Sequence, residues 1–111
     1  MRMDEALKKA GAFHQAGRLP EAEAAYRQVL QREPNSAAAL HGLGVIGLQT
    51  GRLAEAVDLI GRAVAISPST ASYHLNLGVA LQKQNRLDEA IAAYRKALSL
   101  NWNSPKVATT D

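Results

Sequence analysis

Gly17-Arg18-Leu19-Pro20-Glu21-Ala22, Gly51-Arg52-Leu53-Ala54-Glu55-Ala56 and Asn85-Arg86-Leu87-Asp88-Glu89-Ala90 are one phrase written three times, 34 residues apart. A fixed period of this length means stacked helical hairpins. Other columns keep the same step: Leu30, Val64 and Leu98; Val29, Ala63 and Ala97; Tyr26, Ile60 and Tyr94; Ala10, Gly44 and Gly78. The chain therefore reads as one short solenoid with no single closed core.

Working outward, the punctuation falls twice per repeat. Gly17, Gly51 and Asn85 are residue types that tolerate the left-handed backbone just past a helix C-terminus. Pro34 and Pro68 form a second column and end the second helix of repeats one and two. The breakers predict helices over 3–16, 19–32, 37–50, 53–66, 71–84 and 87–100. Each is about 20 Å long at the helical rise. Pro20 falls in a first helical turn, where its missing N–H costs little.

Composition fits this plan. With 47% hydrophobic and 21% charged residues but only 5% aromatics, Ala, Leu and Val must do the packing. Cysteine is absent, which removes disulfides and thiolate chemistry and suits a reducing compartment. No secretory apolar segment is visible and the apolar runs fall short of a membrane span, so a soluble cytoplasmic module without a membrane partner is expected. A net charge of +3 is too mild to point to nucleic acid. Acids gather near the second-helix starts and bases near their ends, as the helix dipole favours. Glu23 with Arg27 and Asp58 with Arg62 stand at i,i+4 spacing.

These columns resemble the tetratricopeptide repeat. Numbered from Met3, Ala37 and Ala71, the small residue at position 8 is Ala10, Gly44 and Gly78. The glycine at 15 is Gly17, Gly51 and Asn85, and the alanine at 20 is Ala22, Ala56 and Ala90. The resemblance implies an all-α, right-handed superhelical solenoid of three helix-turn-helix hairpins, at 3–36, 37–70 and 71–104. Residues 105–111 are then a short C-terminal tail or the truncated start of a further element. It also implies that Ala22, Ala56 and Ala90 are buried where paired helices approach. Position 7, usually leucine, is Lys9 in the first repeat, and the last repeat carries Trp102 in place of its proline.

Chemistry is hard to find. His14 and His41 are separated by about 10 Å along parallel helices, too far to share an ion. Ser67, Ser69, Thr70 and Ser72 crowd one turn, where such residues cap helices. No phosphate loop follows a strand. The reading is a non-enzyme with no cofactor and no metal. Arg18, Arg52 and Arg86 make the one regular charge array, which reads first as a solvated helix-end column and second as a basic edge for an acidic partner.

Function rests on the groove that the resemblance implies along the first helices. It is lined by Leu7, His14, His41, Val45, Leu48, Gln49, Leu75, Asn76, Val79, Gln82 and Lys83. Similar chaperone-binding modules carry a carboxylate clamp of Lys, Asn and Arg, but here the clamp positions hold Leu7, Gly11, Gly42, Ser72 and Asn76. The apolar strip Leu7, Val45, Leu48, Leu75 and Val79 suits an apolar peptide or amphipathic helix instead. Leu48 and Val79 are expected to serve binding more than folding.

The leading expectation is a protein-protein interaction scaffold with a protein or peptide partner. The alternative is the helical repeat region of a larger bacterial-type enzyme, such as a glycosyltransferase or sulfotransferase. An uncapped last hairpin predicts self-association as a homo-oligomer through Leu81, Ala90, Tyr94 and Trp102, unless Trp102 and Val107 fold back over it.

Overall fold

The structure, a computed structural model, describes residues 3–102. The side chain of Trp102 and residues 103–111, with the end of the third repeat, Val107 and the tail, lie outside the described residues. Six helices follow one another: α1 (Met3–Gln15), α2 (Leu19–Arg32), α3 (Ala37–Gln49), α4 (Leu53–Ile66), α5 (Ala71–Lys83) and α6 (Leu87–Trp102). They form three hairpins stacked as an all-α helical repeat solenoid.

One turn chemistry builds all three hairpins. Gly17, Gly51 and Asn85 take positive φ values of 77°, 80° and 62°. That twist carries the next amide back to the preceding helix. Arg18 N–H donates to the Phe13 carbonyl (2.9 Å), Arg52 N–H to Gly47 (2.8 Å) and Arg86 N–H to Leu81 (2.9 Å). The pattern satisfies carbonyls that a helix end would otherwise leave open.

Between hairpins the chain turns at Pro34 and Pro68. Ser36 caps α3 by accepting the Ala39 N–H (3.2 Å). Thr70 stands at the same place before α5 but pairs its hydroxyl with Ser67 (2.7 Å) and leaves α5 without a side-chain cap. The predicted helices stand, with two shifts at their ends. First helices stop one residue early, and α6 runs two residues past its predicted end because no proline stops it there.

Packing depends on small residues. Ala22, Ala56 and Ala90 are buried at the hairpin contacts. Gly47 lets α3 approach α4, since a β-carbon there would lie 3.2 Å from the Arg52 carbonyl and 3.3 Å from Ala56 Cβ. Burial is layered: Leu40, Leu43 and Ile46 join Ala10, Tyr26 and Val29 in one cluster, Ala56, Ile60 and Ala80 form a second, and Leu81, Ala90 and Ala93 a third. Among the described residues the backbones of α1 and α2 come close to neither α5 nor α6, as a solenoid requires.

Candidate peptide groove and open end

The first helices α1, α3 and α5 lie side by side, and polar side chains bridge them. His14 Nε2 of α1 meets Gln49 Oε1 of α3 at 2.6 Å. Asn76 Nδ2 of α5 donates to His41 Nε2 of α3 at 2.8 Å. Each bridge is 35 residues long, one more than the repeat, so it joins a residue to the neighbour of its own repeat equivalent.

His41 is the most constrained of these groups. Its ring stacks on Tyr73 with centroids 4.5 Å apart, and its Nε2 accepts from Asn76, so the ring is held neutral. Burial and the charge that His14 would bring both push its pKa below the usual imidazole value. His14 also meets Tyr26 edge-on at 6.1 Å, and His74 bonds the Pro68 carbonyl at 2.7 Å. The three histidines are thus occupied in separate places. Among the described residues no group of three metal-binding side chains comes together.

Around the bridges the predicted groove residues are half-buried or exposed. Leu75 is the most open of the apolar strip, at 48% exposure, and Gln82 and Lys83 reach solvent at one end. Gln82 Oε1 accepts the Tyr94 hydroxyl at 2.7 Å. Leu48 needs a correction. It packs against Ala56, Ile60 and Ala80, so it stabilises the second layer as well as lining the surface. Gly42, at a clamp position, is buried under Tyr26 and faces no groove.

The arginine column is occupied by carboxylates. Arg18 pairs with Glu21 (2.7 Å), Arg86 with Glu89 (2.8 Å), and Arg52 with Glu23 (2.8 Å). Glu23 also takes Arg27 (2.9 Å), and these two guanidinium groups hold its carboxyl down at about 2. Arg27 reaches Glu55 at 3.5 Å, completing a bridge between the first two hairpins. Asp58 and Arg62, at i,i+4 spacing, form no ion pair among the described residues; both are exposed, where such a pair gains little.

The third hairpin also differs from expectation. Leu81 and Ala90 are 5% and 2% exposed, so neither lies at a surface. They face each other inside the last hairpin, because Leu81 sits on the side of α5 turned to α6. The exposed residues are Leu87, Ile91 and Leu98, with Tyr94 half-buried between them. A cavity of about 440 Å³ adjoins them, lined by Ala71, Ser72, Leu75, Tyr94, Ala97, Leu98 and Asn101.

Three stacked hairpins with this turn and this column of small residues define a helical repeat protein. The sequence matches the tetratricopeptide repeat family over residues 7–69 and again over 71–101, and the chain belongs to that family. Among curated proteins none matches it at a significant level. Among solved structures it is similar to a mutant O-GlcNAc transferase of Thermobaculum terrenum, at 34% identity and TM-score 0.88, over 91% of this chain and 19% of that one. MamA is similar at 24% identity and TM-score 0.83, over 89% of this chain and 58% of that one. The second tetratricopeptide domain of Spaghetti (RPAP3), bound to the HSP90 peptide SRMEEVD, is similar at 17% identity and TM-score 0.85, over 90% and 93% of the two chains. The chain thus spans about a fifth of the transferase and just over half of MamA. No helix among the described residues is long and apolar enough to cross a membrane.

Proposed function

We propose that this chain is a protein-protein interaction scaffold that holds an apolar or amphipathic peptide against α1, α3 and α5. Tetratricopeptide repeats are typically non-catalytic interaction modules, and the similar Spaghetti domain is one that holds a peptide. One observation carries the choice of ligand. The strip through half-buried Val45 and Val79 and exposed Leu75 is bordered by the uncharged amides of Gln49 and Asn76, while the clamp positions hold no Lys or Arg. Such a surface gains from burying apolar side chains and offers little to a terminal carboxylate. Calorimetric titration with an amphipathic helical peptide and with an acidic peptide such as SRMEEVD tests the reading. The first binds and the second does not; tight binding of the acidic peptide overturns it.

A second reading has its own support. The 34% identity to the transferase covers nearly all of this chain but only 19% of that protein. On this reading residues 3–104 are the repeat domain of a longer bacterial-type enzyme, and the groove guides its protein substrate. A catalytic domain in the same reading frame decides for it. A cytoplasmic setting suits both readings.

A further inference from the structure

We propose that α6 pairs with α6 of a second copy of this chain, antiparallel and about a two-fold axis. Leu87, Ile91, Tyr94 and Leu98 are spaced four, three and four residues apart, which places them in one stripe along the helix. Three of the four are about half exposed (52%, 48% and 54%), and this stripe is separate from Ala90, Ala93 and Ala97, which face inward. Their repeat equivalents Leu19, Leu53, Leu30 and Val64 are all partly buried.

Charge selects the occupant and its direction. In the antiparallel pairing Leu87 meets Leu98 of the second copy, and Ile91 meets its Tyr94. The flanking positions on the outer side are then Asp88 against Arg95 of the second copy, and the symmetric pair. Both residues are exposed, and neither has a carboxylate or guanidinium partner among the described residues. In the first repeat Arg27, the equivalent of Arg95, is paired with Glu23; in the third, Ile91 stands in the place of Glu23. The pairing also brings Leu87 of the second copy to Leu98, where the 440 Å³ cavity opens.

Head-to-tail stacking, the other arrangement open to a solenoid, is opposed by the first helix. In repeat register Lys8 would take the place of Gly42, which is buried beneath an aromatic ring, and Lys9 that of buried Leu43. Two ammonium groups would then be pressed onto Tyr94 and Leu98, a heavy desolvation cost. A closed two-fold pair follows instead of a fibre.

Sedimentation equilibrium of the 111-residue chain over micromolar concentrations tests this. The mass rises from monomer to dimer and stops there. Ile91→Glu, at a half-exposed site that leaves the monomer folded by circular dichroism, raises the dimer Kd more than about tenfold. Asp88→Arg or Arg95→Asp alone weakens the dimer by roughly fivefold, and the two together restore it to within about twofold, because the swapped pair is again complementary. A monomer at all concentrations overturns the proposal, as it shows this face covered or unused. Masses growing beyond the dimer, or a double swap that fails to restore it, overturn the geometry.

Discussion

The ring of Tyr26 occupies the space that a side chain on Gly42 would need: a β-carbon there would stand 2.6 Å from Cε1 and 2.7 Å from the hydroxyl oxygen. This contact joins α2 to α3, and so the first hairpin to the second. Gly42→Ala ordinarily stabilises a helix by roughly 0.5–1 kcal/mol. Here it should destabilise the fold by about 1–3 kcal/mol through overpacking. Gly61, in α4 with nothing within 4 Å of its β-carbon position, is the control, and Gly61→Ala should raise stability. Urea unfolding of both variants checks the opposite signs.

Glu23 makes stability depend on acid. Its folded pKa of about 2 lies below its usual 4.5, so the folded state holds fewer protons than the unfolded chain between these values. The contribution is present in full above pH 4.5 and is lost as pH falls toward 2. Allowing for screening at a partly exposed site, it amounts to about 1 kcal/mol. Glu23→Gln should lower the melting temperature at neutral pH and reduce the loss on acidification. Melting curves taken from pH 7 to pH 2 read both effects.

Much of this was legible in the sequence because the repeat imposes local demands. A positive φ needs Gly or Asn, so the turn column could be read residue by residue. Bridges between repeats were not legible in the same way. His14–Gln49 and His41–Asn76 are offset by one from the period, and comparing identical columns hides them. Glu23–Arg52 has no repeat, since Val57 and Ile91 fill the column of Glu23. Leu81 was misplaced because hydrophobicity alone does not say which side of α5 faces α6. In the columns Leu19, Leu53, Leu87 and Leu30, Val64, Leu98 the third member is exposed among the described residues while the first two are partly buried, a difference that similar residue types do not reveal.

Protonation of His41 should work against its surroundings. Burial and nearby His14 lower its pKa from 6.5, so its neutral form stabilises the fold above that pH and the contribution is lost as pH falls through the folded pKa. In the NMR titration the His41 ring should therefore titrate below an unstructured histidine. His14→Asn should move it upward by removing the like charge. An unshifted His41 would mean that the ring is open to water and that the bond from Asn76 is not held in solution.

On the proposed groove, Leu48 is expected to serve the fold and Val79 the ligand. Both are half-buried, but Leu48 packs on Ala56, Ile60 and Ala80 while Val79 belongs to none of the buried clusters. Leu48→Gln therefore places an amide against an apolar layer and should cost about 1–3 kcal/mol of stability. Val79→Gln should change stability by less than about 0.5 kcal/mol, as a substitution outside the core does. Titration of an amphipathic helical peptide then separates the roles. Val79→Gln should weaken binding without shifting the melting temperature, whereas Leu48→Gln should affect both. If Val79→Gln leaves affinity intact while Leu75→Gln also has no effect, the peptide does not lie on this strip.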